Sequence, residues 1–123
     1  MKKILILCFI TALLIVGCSA TSGKVPNRPP DAVGLIYDMD IEDQRILVVS
    51  DIDNVDIAYG EWFEAGKYAA FFKVTNNTTI NDDSKEIDFS SLSKGLKVEI
   101  WHTGALAESY PMQGEASYIN IIN

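Results

Sequence analysis

From Val33 to the end of the chain the apolar residues come in short alternating or β-branched runs, and no window of eleven or more residues keeps a helical period. This excludes a helical bundle and asks for strands. Residues 33–40 predict a first strand with Val33, Leu35, Tyr37 and Met39 on its apolar face. Glu42-Asp43-Gln44 turns the chain, and the β-branched residues 45–50 return as the second strand of a hairpin. Residues 68–75 make a third strand. Asn76, Asn77, Asn81, Asp82 and Asp83 then form a turn-rich stretch around Thr78-Thr79-Ile80. In residues 90–95 a capping serine and a terminal glycine suit one or two helical turns. Residues 96–103 alternate cleanly as a fourth strand, and residues 115–122 close the chain as a fifth. Three strands, a short helix and two strands are the succession of a five-stranded Greek-key OB-type barrel, whose closure removes the edges that short strands leave exposed. The expected class is all-β with small α content, in an OB-like barrel; a small β-sandwich or β-roll is the alternative.

The N-terminus is of a different kind. Lys2 and Lys3 precede an apolar run over residues 4–16, thirteen residues interrupted by Thr11. As a helix that run reaches about 20 Å, against roughly 30 Å for a hydrocarbon core, so it reads as an export signal and not a span. It ends in Leu14-Ile15-Val16-Gly17-Cys18, which resembles the lipobox of bacterial lipoproteins. The resemblance implies cleavage between Gly17 and Cys18 and lipidation of Cys18, and hence a protein anchored by lipid on the extracytoplasmic side of the cell membrane. Cys8 would leave with the signal, so the mature chain would hold no free thiol and no disulfide. Residues 19–32 are small, polar and proline-containing, a tether of about 40 Å when extended. The expected organisation is a signal at 1–17, a lipidated cysteine and tether at 18–32, and one β-barrel domain at 33–123.

Seventeen acidic side chains against ten basic ones give a net charge of -7. Such a body repels phosphate backbones, and an OB groove for nucleic acid is normally basic, so nucleic acid is not an expected partner.

Gly34-Leu-Ile, Arg45-Ile-Leu-Val-Val, Phe89-Ser-Ser-Leu-Ser-Lys-Gly95, Val98-Glu-Ile-Trp101 with Gly104, and Glu108-Ser-Tyr-Pro111 followed by Gln113-Gly-Glu-Ala116 resemble the YobA-like lipoproteins of bacilli. That family is a domain of unknown function. The resemblance covers about residues 33–122, implies a small exported β domain, and carries no catalytic residues.

Catalytic sets do not assemble in the sequence. His102 is the one histidine, which with no free cysteine in the mature chain rules out three-histidine or cysteine-rich zinc sites. Ser109 sits in Glu108-Ser-Tyr-Pro111 and not in a G-x-S-x-G elbow. Asp51, Asp53 and Asp56 bring carboxylates together in a loop, which is the ligand chemistry of calcium. The EF-hand spacing fails, however: Val55 takes a ligand position, Asp56 the glycine position and Trp62 that of the closing glutamate. A solvated acidic loop, with no metal and no cofactor, is the expectation. The number of carboxylates makes some proximity inevitable, so no glycosidase-like acid pair follows from it. Tyr59, Trp62, Phe63, Trp101 and Tyr110 place large rings near turns, where they close the core or present a binding surface. Residues 103–115 read as a long loop between the last two strands, bounded by Gly104 and Gly114. The candidate binding surface is therefore Tyr59, Trp62, Glu108, Ser109 and Tyr110. The expected function is a non-enzymatic binding or envelope-associated module for an unknown envelope or extracellular protein or glycan. The alternative is an enzyme, or an enzyme accessory, acting on cell-wall or extracellular material.

Overall fold

The computed structural model describes residues 25–122. The expected signal and Cys18 lie outside them. The elements are β1 (Ala32–Asp40), β2 (Arg45–Val49), α1 (Tyr59–Glu64), β3 (Ala69–Lys73), β4 (Thr79–Asp82), β5 (Lys85–Ile87), a 3-10 turn (Phe89–Ser91), β6 (Lys97–Ala107) and β7 (Met112–Ile122). Strands run in the order β3-β2-β1-β6-β7, and parallel pairing of β3 with β7, from Ala70 against Met112 to Lys73 against Glu115, closes the ring. The result is the expected five-stranded OB-like barrel. A β4–β5 hairpin is appended, with β4 parallel to the second half of β7.

Inside the ring, Ile36, Ile46, Val48, Phe72, Val98, Ile100 and Ile119 are all fully buried. The run Ile46-Leu-Val-Val49 does not alternate because β2 is covered on both faces, its Leu47 and Val49 packing outward against Trp62 and Ala69. The five strands of the ring and the core side chains named here all lie within residues 25–122.

Several details differ from the sequence reading. The inward face of β1 is the opposite one: Ala32 and Ile36 are buried while Val33 is exposed. A bulge between Ile36 and Asp38 then flips the alternation, which returns Met39 to the interior and leaves Tyr37 outside. Gly34 has a steric task, since a methyl group there would lie 2.8 Å from the Val49 carbonyl carbon. The stretch read as turn-rich contains the β4–β5 hairpin, whose two loop residues Asp83 and Ser84 both take positive φ, 51° and 67°, as a tight hairpin turn of this hand requires. The short helix is a single 3-10 turn, and its N-cap is Asp88, not Ser90. β6 and β7 are eleven residues each, so the loop read as 103–115 shrinks to residues 108–111. Gly104, at φ 63°, allows an irregularity within β6 instead of ending a loop. The C-terminal part of the expected tether is bound to the barrel: Trp101 Nε1 donates to the Arg28 carbonyl at 2.9 Å, and Asp31 N–H donates to Ile100 O at 2.8 Å.

Candidate functional site

The connection from β2 to β3 crosses the outer surface of those two strands and carries α1. The helix is six residues long, has no side-chain cap, and ends where Gly66, at φ 69°, turns its N–H to the Phe63 carbonyl. Three of its six residues are aromatic. Trp62 is driven against Leu47, Val49 and Ala69 and is 1% exposed. Tyr37 meets it edge-on at 5.4 Å and donates its hydroxyl to the Ile57 carbonyl at 2.7 Å, so the bulged residue of β1 pins this connection.

Tyr59 and Phe63 flank Trp62 and stack on each other at 5.4 Å, and Tyr110 of the β6–β7 loop leans on Phe63 at 4.8 Å. The Tyr110 hydroxyl donates to the Lys67 carbonyl at 2.6 Å, which ties the loop to the α1 connection. Desolvation, with a smaller contribution from Tyr59, raises the Tyr110 pKa above its ordinary value, so the group is a neutral donor near pH 7. Tyr59, Phe63 and Tyr110 remain 45%, 38% and 40% exposed. The structure thus gathers Tyr59, Trp62 and Tyr110 of the candidate surface at one place. Trp62, however, is its buried support and not a contact residue. Phe63 is the surface member that replaces it. Glu108 is exposed on the same short loop, and Ser109 spends its hydroxyl on the Pro111 carbonyl at 2.8 Å. Trp101 belongs elsewhere, in mid-β6 and edge-on to Tyr118 at 5.5 Å.

The other candidates stay apart. His102 Nδ1 lies 2.8 Å from the Gly104 carbonyl and Nε2 lies 3.8 Å from Asp31, so neither nitrogen is committed to Ser109. Among the described residues no three His, Cys, Asp or Glu side chains converge as a metal site, and Asp51, Asp53 and Asp56 do not form one.

At the opposite end of β2 and β3 lies a cavity of about 690 Å³ that the sequence reading did not anticipate. Its floor is the barrel core itself, through the buried side chains of Val74, Ile80 and Leu92, and Met39, Ile87 and Phe89 add to the apolar lining. Thr75, Thr78, Glu86, Asp88 and Ser90 make it polar elsewhere. Asp88 is fixed by the Ser90 hydroxyl at 2.6 Å, which holds its pKa below the ordinary carboxylate value. The available signal was Ile80, Ile87, Phe89 and Leu92 standing singly in a polar stretch.

No curated protein matches the chain. Among solved structures, the 1.0 Å structure of a CusF variant with Cu(II) from Escherichia coli aligns at TM-score 0.46 and 13% identity, over 82% of this chain and 100% of that one. Residues 36–123, almost the whole β domain, match the family described as Protein of unknown function (DUF3221). The expectation of an uncharacterised domain over the β region is therefore met, and the chain belongs to the DUF3221 family.

Proposed function

We propose that this protein is a non-enzymatic binding module, held by lipid on Cys18 at the extracytoplasmic face of the cell membrane, whose contact surface is the aromatic face of α1 and the β6–β7 loop. One observation carries the binding role: three large rings, Tyr59, Phe63 and Tyr110, stay substantially exposed although they are stacked on one another and backed by a buried tryptophan. Rings held rigidly in this way bury area on a partner at little cost in conformational entropy. The adjacent Glu108 supplies hydrogen-bond acceptors at the margin. The anchor rests on the basic start, the thirteen-residue apolar run and Gly17-Cys18.

The surface is tested by retention of residues 25–123 on purified cell-wall sacculi and on immobilised envelope proteins, comparing the wild type with a Tyr59→Ser, Phe63→Ser variant. Loss of about tenfold in affinity for one of these materials with a nearly unchanged melting temperature is the expected result. Equal retention of both proteins on every material overturns the surface. The anchor is tested separately, because Cys18→Ser must abolish labelling of the full chain by a radioactive fatty acid. Persistent labelling overturns it.

A further inference from the structure

We propose that the cavity at the β4–β5 end of the barrel is a second binding site, and that it takes a small amphipathic organic cation: an alkyl or aryl body carrying one ammonium head. The site is independent of the aromatic face. Its volume of about 690 Å³ falls in the range of small-molecule pockets, roughly 300–1,000 Å³. The apolar part is continuous with the folded core, because Val74, Ile80 and Leu92 are at most 6% exposed and yet line the cavity. Atoms facing such a gap lack dispersion partners on one side, and an apolar ligand restores them.

The polar lining decides the head group. Two carboxylates, Glu86 and Asp88, lie along the cavity, and no Lys, Arg or His does. Arg45 is paired with Asp40 at 3.2 Å and its guanidinium lies 4.7 Å from the centre of the Phe71 ring, Lys94 pairs with Asp38 at 3.3 Å, and Lys73 and Lys85, next in sequence to Val74 and Glu86, are not part of the lining. The threonine hydroxyls are also spent, Thr78 on the Ala116 carbonyl at 2.6 Å and Thr75 on Glu115 at 3.3 Å. Asp88 is different, since the Ser90 and Ser91 hydroxyls both donate to its Oδ1 and set the carboxylate in one place as an ion. An anionic head would meet no opposite charge along this lining, only the amide donors of Gln44 and Asn76, in a chain of net charge -7. A cationic head meets a positioned carboxylate beside an apolar wall.

The test compares three probes of equal chain length, octylammonium, octanol and octanoate, titrated into residues 25–123 and followed by calorimetry and by methyl NMR. Octylammonium is expected to bind about tenfold or more tightly than octanoate, with octanol between them and with shifts at the methyls of Ile80, Ile87 and Leu92. Asp88→Asn keeps an acceptor for the serine hydroxyls while removing the charge. It should weaken octylammonium by about threefold to tenfold and leave octanol unchanged. Asp51→Asn, on the distant β2–β3 connection, removes the same net charge and should change nothing. The proposal is overturned if octanoate binds as well as octylammonium, if the two aspartate variants lose equally, or if the shifts fall outside the cavity. Absence of any shift from all three probes removes the cavity as a ligand site altogether, whereas the aromatic face stands or falls by its own retention test.

Discussion

Strands β2 and β3 run from one end of the barrel to the other, and the two ends are finished in contrasting ways. Beyond Val49 and before Ala69 the connection is long enough to fold a helix back across the outer face of the strands, where Trp62 packs on Leu47 and Val49 and Tyr110 is bonded over it. Beyond Lys73, and before Arg45, only short segments are at hand, and the β4–β5 hairpin with its 3-10 turn spans the opening with Ile87 and Phe89. Near the first end aromatic volume covers the outer face of β2 and β3; at the second a cavity opens onto the barrel core. Closing the backbone of a barrel therefore leaves both its outer wall and its ends to be covered by what the connections can deliver.

The contrast predicts a gradient of stability effects. Trp62→Ala should be the most damaging, about 3–5 kcal/mol, because a large ring is lost from a fully buried site. Tyr110→Ala should follow at about 2 kcal/mol, since a part-exposed ring and its hydrogen bond to Lys67 are both removed. Phe89→Ala should cost only about 1 kcal/mol, because its ring already borders open space and is only partly buried. Chemical denaturation of the three variants checks the order. A Phe89 loss as large as that of Trp62 would mean that the cavity end is as tightly packed as the other, and the comparison would break.

The same two ends show how far the sequence could be read. The ring itself was legible: the β-branched run at 45–50, the alternation at 96–103, an aromatic-rich third strand and the order of elements lead to the OB-like closure that the strand pairing displays. The inward face of β1 was not legible, because a bulge changes the alternation part-way and no local residue announces it. α1 was hidden by its length. Six residues do not complete two turns, so they cannot show a period. The β4–β5 hairpin was hidden by its turn, which uses Asp83 and Ser84 in left-handed conformations where Asn-Gly or Asp-Gly would have signalled it. Tyr59 and Tyr110 were named as candidate contact residues from their places near turns, but their meeting across two connections and the burial of Trp62 beneath them depend on β2 having two covered faces. That is a tertiary fact. The cavity was missed for a related reason: its lining comes from three separate stretches of chain, residues 39–44, 74–80 and 86–92, none of which has a motif of its own.

The smallest effects should come from acid, and they sharpen the contrast because each carboxylate belongs to a different part of the barrel. Asp31 is held below its ordinary pKa chiefly by the Arg28 guanidinium, at 2.8 Å, and further by the backbone N–H of His102 at 2.9 Å. Asp88, at the cavity, is held below it chiefly by the Ser90 hydroxyl. A carboxyl whose folded pKa lies below its unfolded value of about 3.9 favours the folded state above that pH, and the contribution fades as the pH falls through the folded value. The difference in melting temperature between the wild type and Asp31→Asn should thus be full at pH 7 and shrink steadily from about pH 5 to pH 2. Half of the Arg28 side chain is exposed, so salt should shrink it as well. Asp88→Asn should show the same direction with less salt dependence, because its main partners are hydroxyls and not a cation, and the 3-10 turn it caps is a single turn at the surface. A gap for Asp31→Asn that widens on acidification would show that the Arg28 contact does not favour folding, and the strap over β6 would then rest on Trp101 and the backbone alone.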